Sequence, residues 1–204
     1  MEMADREGRA MSHTHPHDGN WTLEQLLAAE AAGEHLDFLM FWGHTAPDSS
    51  EVGPHVLSQW WPQEFEVDGQ RYVTAEHFMM AEKARLFGDD EQLAAVLASA
   101  TPKEAKACGR KVKNFDSDAW DDKSFDIVTR GSVAKFAASQ DLAGYLVGTG
   151  HRVIVEASPV DPVWGIGLAK DAATASAPSK WKGRNLLGFA LMSARAQIAA
   201  GARP

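Results

Sequence analysis

The 204 residues hold a single cysteine, Cys108. That excludes an intramolecular disulfide and fits a reducing compartment. No uninterrupted apolar run approaches the ~18–20 residues that a membrane helix needs. The N-terminus has no signal-peptide h-region. The expectation is a cytoplasmic protein with no membrane partner. Positive charge is in deficit, with 20 Lys+Arg against 28 Asp+Glu and a net charge of -8. An acidic chain is a poor partner for nucleic acid in general, although a local basic patch still serves one small anion. Several motifs are also missing: H-E-x-x-H, C-x-x-C, a Walker loop, a G-x-S-x-G elbow and a G-x-G-x-x-G that opens a helix. No metal and no cofactor are therefore expected.

What is present suffices for one core. The chain is 45% hydrophobic and carries seven Trp, so one domain is the default reading. Trp buries much area and also stacks on ring-shaped ligands. Residues 1–20 are polar and include His13, His15 and His17, and they read as a disordered tail. Residues 21–33 read as a helix capped by Thr22 and stopped by Gly33. Residues 35–44 read as a strand and 45–55 as a loop. FEV, Asp68-Gly69 and QRYV together make a hairpin signature. Helices follow over 74–88, 89–100, 101–112, 116–140 and 141–150. Thr74 and Thr101 stand at N-cap positions. HRVIVEAS (151–158) is the clearest strand. Residues 159–185 read as a long loop, and 185–201 as a last helix with Asn185 as its cap. The predicted class is mainly α with a small antiparallel β element. The predicted layout is a tail over 1–20, an extension helix over 21–35 and one domain over 36–204.

Four features carry candidate chemistry. In TAEHFMMAEKARLFG, Glu76 and Lys83 share a helix face with Met80 and Phe87. Two turns separate the charges, ~10.5 Å of rise, so a ligand along the helix would touch both. The plainer account is that each snorkels to solvent. Lys103, Lys106, Arg110, Lys111 and Lys113 concentrate positive charge, as a phosphate holder or as a solvated face. DPVWGIGL offers the Asp161 carboxylate, the Trp164 ring, and Gly165 and Gly167 for close backbone approach, or else a turn buttressed by a core Trp. WKGRNLLG places Asn185 at a helix start, where free N–H groups also bind anions.

Taken together and in this order, VDGQRYVTAEHFMMAEKARLFGD, SATPKEAKACGRKVKNFD, VEASPVDPVWGIGL and WKGRNLLGFALM resemble the YbiA-like proteins, the NADAR domain family. The likeness spans residues 38–200. It implies a compact, mainly helical domain and an N-glycosidase that hydrolyses the C–N ribosyl bond of phosphoribosylamino-pyrimidine intermediates of riboflavin synthesis. Other members are described as removing ADP-ribose from guanine. A binding module that reads a ribosyl phosphate without turning it over is the non-enzymatic alternative.

Such a cleavage passes through a cationic anomeric carbon. Glu76 and Asp161 are the expected carboxylates. Lys83 is expected either to clamp the substrate or to attack it as an amine. Trp164, Trp60 and Trp120 are the expected stacking surfaces. Arg110 and Lys111, with the helix start at Asn185, are the expected phosphate holders.

Overall fold

The computed structural model describes residues 20–45 and 52–202. The tail expected over 1–20, with its three His, lies outside the described residues except for Asn20. Among the described residues seven α-helices and four short strands are seen, in agreement with a mainly helical single domain. The helices are α1 Leu23–Ala31, α2 Ala75–Leu86, α3 Asp90–Leu97, α4 Pro102–Gly109, α5 Ser117–Ala137, α6 Gln140–Gly148 and α7 Leu186–Ala199. The strands are β1 Phe38–Phe41, β2 Phe65–Val67, β3 Gln70–Tyr72 and β4 Val153–Glu156.

The helix starts follow from their caps. The hydroxyls of Thr22, Thr74 and Thr101 each accept an N–H from the first turn, and Thr22 and Thr101 complete capping boxes with Gln25 and Glu104. Asp89 caps α3 with Oδ1 and takes the Lys113 N–H on Oδ2 at 2.8 Å, which ties the start of α3 to the chain after α4. β2 and β3 form the expected antiparallel hairpin. Asp68 and Gly69 both have positive φ, +51° and +76°, as a two-residue type I′ turn requires.

The second pairing was not expected. β1 and β4 lie parallel, from Phe38 opposite Val153 to Phe41 opposite Glu156. Both strands therefore end on the same side, and the chain leaving each runs over the same region.

α2 is the central helix. It packs on α3, α4 and α5, and eight of its twelve residues are buried. A helix covered on most sides has no clean polar face. The backbone of α4 comes close to α2 at Gly109, where a Cβ would fall 2.1 Å from Met80 Sδ. α5 packs along α7, and Phe136, Leu191 and Met192 of these helices join Phe78 of α2 in the core. α1 joins the same core through Leu26, with Trp21 just ahead of it buried as well. Its Glu30 carboxylate accepts from the Ser179 amide at 2.8 Å.

The stretch 159–185 lacks strands but not hydrogen bonds. Its two ends zip together: the amides of Lys182, Arg184 and Asn185 donate to the carbonyls of Ile166, Pro162 and Gly165. Just before its second end it makes a short 3-10 turn, Pro178–Lys180. No helix among the described residues is long and apolar enough to cross a membrane.

Candidate active site

A cavity of about 840 Å³ opens beyond the carboxyl ends of β1 and β4. After β1 the chain contributes Trp42, Gly43 and His44, and after β4 it contributes Ser158, Asp161 and Trp164. Ligand sites at the carboxyl ends of parallel strands are a general outcome of such sheets. α2 supplies Glu76, Met80 and Lys83, α4 and its C-cap supply Lys106 and Arg110, and the first turn of α5 supplies Trp120. Four of the seven Trp line this one space.

Glu76 is buried in the first turn of α2. Its amide donates to the Gln59 carbonyl at 3.0 Å, and the Trp60 indole lies near its carboxyl. Oε1 has no partner among the described residues. Burial pushes this carboxyl above the usual range, and Asp161 adds to that. Lys106, the indole and Arg110 oppose the shift.

Glu156 is the last residue of β4. Its buried Oε2 also lacks a hydrogen-bond partner. Burial first, then the Asp161 and Glu76 carboxyls, push it up to about 8, against Lys106. Three carboxyls and one ammonium therefore share a field, and a proton stays on Glu156 at neutral pH.

Asp161 is half committed. Its Oδ1 accepts the Val163 and Trp164 amides at 3.0 and 2.8 Å, which builds the turn that carries Trp164. One oxygen remains for a ligand. Lys83 Nζ stands 4.0 Å from the Phe115 ring centroid and 5.7 Å from that of Trp120. Burial lowers its pKa, and no carboxylate among the described residues counters that effect. An amine over two aromatic faces keeps a favourable partner without a counter-ion. Lys106 Nζ stands 6.0 Å from the Trp60 ring, and His44 packs on that ring at 5.6 Å.

Glu76, Lys83, Asp161, Trp164, Arg110, Trp60 and Trp120 thus line one cavity, and Lys111, Gly165, Gly167 and Asn185 do not. Lys111 is exposed beyond the end of α4. Gly165 serves packing, since a Cβ there would fall 2.8 Å from the Glu156 carbonyl. Gly167 combines φ +66° with Lys182 Cβ at 2.9 Å.

The reading of Asn185 as a side-chain cap is corrected. It adopts a left-handed conformation, φ 53°, and makes no side-chain cap bond. Its amide group instead spans the end of β4: Oδ1 accepts from Glu156 N at 3.0 Å and Nδ2 donates to Ile154 O at 3.0 Å. It is fully buried and holds the backbone of Glu156 in place.

Sequence reasoning passed over Glu156, and it placed Lys106 only within a basic cluster. The one signal for Glu156 was a charge closing an otherwise apolar strand. His77, beside Glu76, is internal: Nε2 faces the Ser99 carbonyl at 3.2 Å and Nδ1 faces the Thr74 hydroxyl at 2.7 Å. Burial lowers its pKa, and a neutral ring with Nε2–H satisfies both contacts. Among the described residues no group of three or more His, Cys, Asp or Glu is placed to hold a metal ion.

Comparison with known proteins adds to this geometry. The family model described as the NADAR domain matches residues 40–199. A protein of Acanthamoeba polyphaga mimivirus named as an N-glycosidase is 42% identical over 153 residues, covering 72% of this chain and 90% of its own. The Escherichia coli protein named N-glycosidase YbiA is 28% identical over 139 residues, 68% of this chain and 77% of its own. The NMR structure of Escherichia coli YbiA superposes with a TM-score of 0.63 at 23% identity, over 82% of this chain and 89% of that one. At that identity the superposition speaks for the fold.

Proposed function

The chain belongs to the NADAR domain family, and from that premise we propose that it is an N-glycosidase whose active site is the cavity beyond β1 and β4. The observation that carries the reading is the convergence of three carboxyls, Glu76, Glu156 and Asp161, in one Trp-lined space, where burial raises the pKa of Glu156. Cleavage of an N-ribosyl bond needs a proton for the departing base and negative charge near the anomeric carbon. Glu156 is the acid that protonates the base. The Glu76 carboxyl and the remaining oxygen of Asp161 face the cationic centre and take up a proton from the attacking water.

The substrate we infer is a phosphoribosylamino-pyrimidine of riboflavin synthesis, with ribose 5-phosphate as product. Lys106 and Arg110, one turn apart on α4, suit the phosphate. The indoles of Trp60 and Trp164 suit the flat base. Lys83 holds the sugar. Its lowered pKa also suits attack as an amine, and borohydride separates the two roles. A reduced adduct on Lys83 during turnover would replace water by Lys83 as the nucleophile.

One observation favours a larger substrate. Trp42 at the rim of the cavity is 60% exposed, beside space open to a further group. An ADP-ribosyl group on guanine would use that space. Assays of both compounds side by side, reading free ribose 5-phosphate against free ADP-ribose, separate the readings.

The deciding experiment follows turnover against pH. Activity of the wild type should fall as pH rises through about 8, where Glu156 loses its proton. Glu156→Gln should lower kcat at least ~100-fold and abolish that fall. Equal turnover in variant and wild type would remove Glu156 from the mechanism.

A further inference from the structure

Lys135 lies in the last turn of α5, buried and outside the cavity wall. Its Nζ donates to the carbonyl oxygens of Val56 and Ser58, each at 2.7 Å. The Phe136 ring centroid is 5.1 Å away. Burial pushes the ammonium down to about 7, and no carboxylate among the described residues counters that effect. Two carbonyl acceptors match the two N–H groups of a neutral amine. An apolar side chain of similar length would fill this space without the desolvation cost of a buried amine. The lysine therefore calls for a role at those two carbonyls.

The segment it holds pairs with no strand among the described residues. It is the 3-10 turn Pro54–Leu57 with Ser58 at its end. The next two residues, Gln59 and Trp60, are cavity wall. The Gln59 carbonyl accepts the Glu76 amide at 3.0 Å. The Trp60 amide donates to Ser58 Oγ at 3.2 Å. The Trp60 indole lies near the Glu76 carboxyl and opposes the rise in its pKa. A continuous path runs from Lys135 through the Ser58 and Gln59 backbone to the Glu76 amide, with Trp60 held on the same segment.

We propose that Lys135 is a positioning residue for the active site. By pinning the Val56 and Ser58 carbonyls it fixes the Gln59–Trp60 wall against α2, and so sets where the Glu76 carboxyl points. The proposal rests on the N-glycosidase reading of this cavity, because positioning matters only if Glu76 takes part in turnover. A change that leaves every contact to substrate intact but misplaces a reacting group lowers kcat more than it raises KM.

The test uses the full chain with its Trp indoles labelled with ¹⁵N. The Trp60 signal is assigned by its loss in Trp60→Phe. In Lys135→Met the Trp60 indole N–H should shift and exchange at least ~10-fold faster, while the Trp164 signal stays in place. The kcat should fall at least ~10-fold with KM within ~2-fold, and the same substitution in the Trp60→Phe background should cost less than ~3-fold. An unchanged Trp60 indole, or full additivity with Trp60→Phe, overturns the proposal. If Lys135→Met fails to fold, the coupling is read from the other end, because coupling is reciprocal. In Trp60→Phe the Lys135 side-chain N–H hydrogens should then exchange at least ~10-fold faster, and no change overturns the proposal. If the wild type cleaves no N-ribosyl substrate while the indole responds as expected, the functional reading falls and the wall contact stands.

Discussion

Glu156 closes a strand whose other three residues, Val153, Ile154 and Val155, are buried and apolar. Its carboxyl pKa is raised to about 8 from the ordinary 4.5, so the folded protein holds a proton that the unfolded chain releases. The stability contribution is full below pH 4.5 and is lost as pH rises through about 8. Glu156→Gln, which cannot ionise, should raise the melting temperature more at pH 8 than at pH 5, by at least ~4 °C in differential scanning calorimetry. An equal gain at both pH values would mean that the carboxyl ionises freely in the fold. Lys83 makes the opposite case. Its contacts are two aromatic faces rather than a carboxylate, so Lys83→Met keeps most of the packing. We expect turnover to fall at least ~100-fold while the melting temperature moves less than ~4 °C. A large thermal loss with turnover retained would make Lys83 structural.

Among the elements, the junction of β4 and α7 does the most for the site. Asn185 occupies a left-handed conformation and spends its amide on the two backbone groups that flank Val155. Gly188 allows this, since a Cβ there would fall 2.1 Å from the Ile154 carbonyl. Asn185→Ala loses two buried hydrogen bonds and adds backbone strain, together about 3–5 kcal/mol, or roughly 10 °C in melting temperature. Asn185→Gly loses the bonds but not the fit of the backbone, so it should be milder by about 1 kcal/mol in urea unfolding. Equal losses would show that the left-handed conformation carries no strain. At the contact of α2 and α4, Gly109→Ala must displace Met80, which lines the cavity. A loss of about 1–3 kcal/mol is expected from overpacking, along with a raised KM because Lys106 and Arg110 ride on the displaced helix.

For the whole molecule, α1 tests how far stability and chemistry are separate. It lies ahead of the family match, which begins at residue 40, yet Leu26 is fully buried in the common core. Leu26→Ala should cost about 2–5 kcal/mol. No residue of α1 lines the cavity, so kcat at 25 °C should stay within ~2-fold of wild type while the protein remains folded. A marked drop in kcat in the folded variant would show that α1 supports the site directly.

The sequence by itself determined what depends on neighbours within about four residues. The Thr22, Thr74 and Thr101 caps and the Asp68-Gly69 turn formed as read, because their bonds close inside one turn of chain. The family motifs also carried the fold class. Only the tertiary structure decided the parallel pairing of β1 with β4, which brings Phe38 beside Val153. That pairing places both strand ends at one cavity and gives Glu156 its neighbours. The same holds for Asn185, whose cap-like position in sequence conceals a clamp on β4, and for Lys135, whose acceptors lie far back in the chain. Burial and long-range partners set a side chain's proton affinity and its job, and neither is written in local spacing.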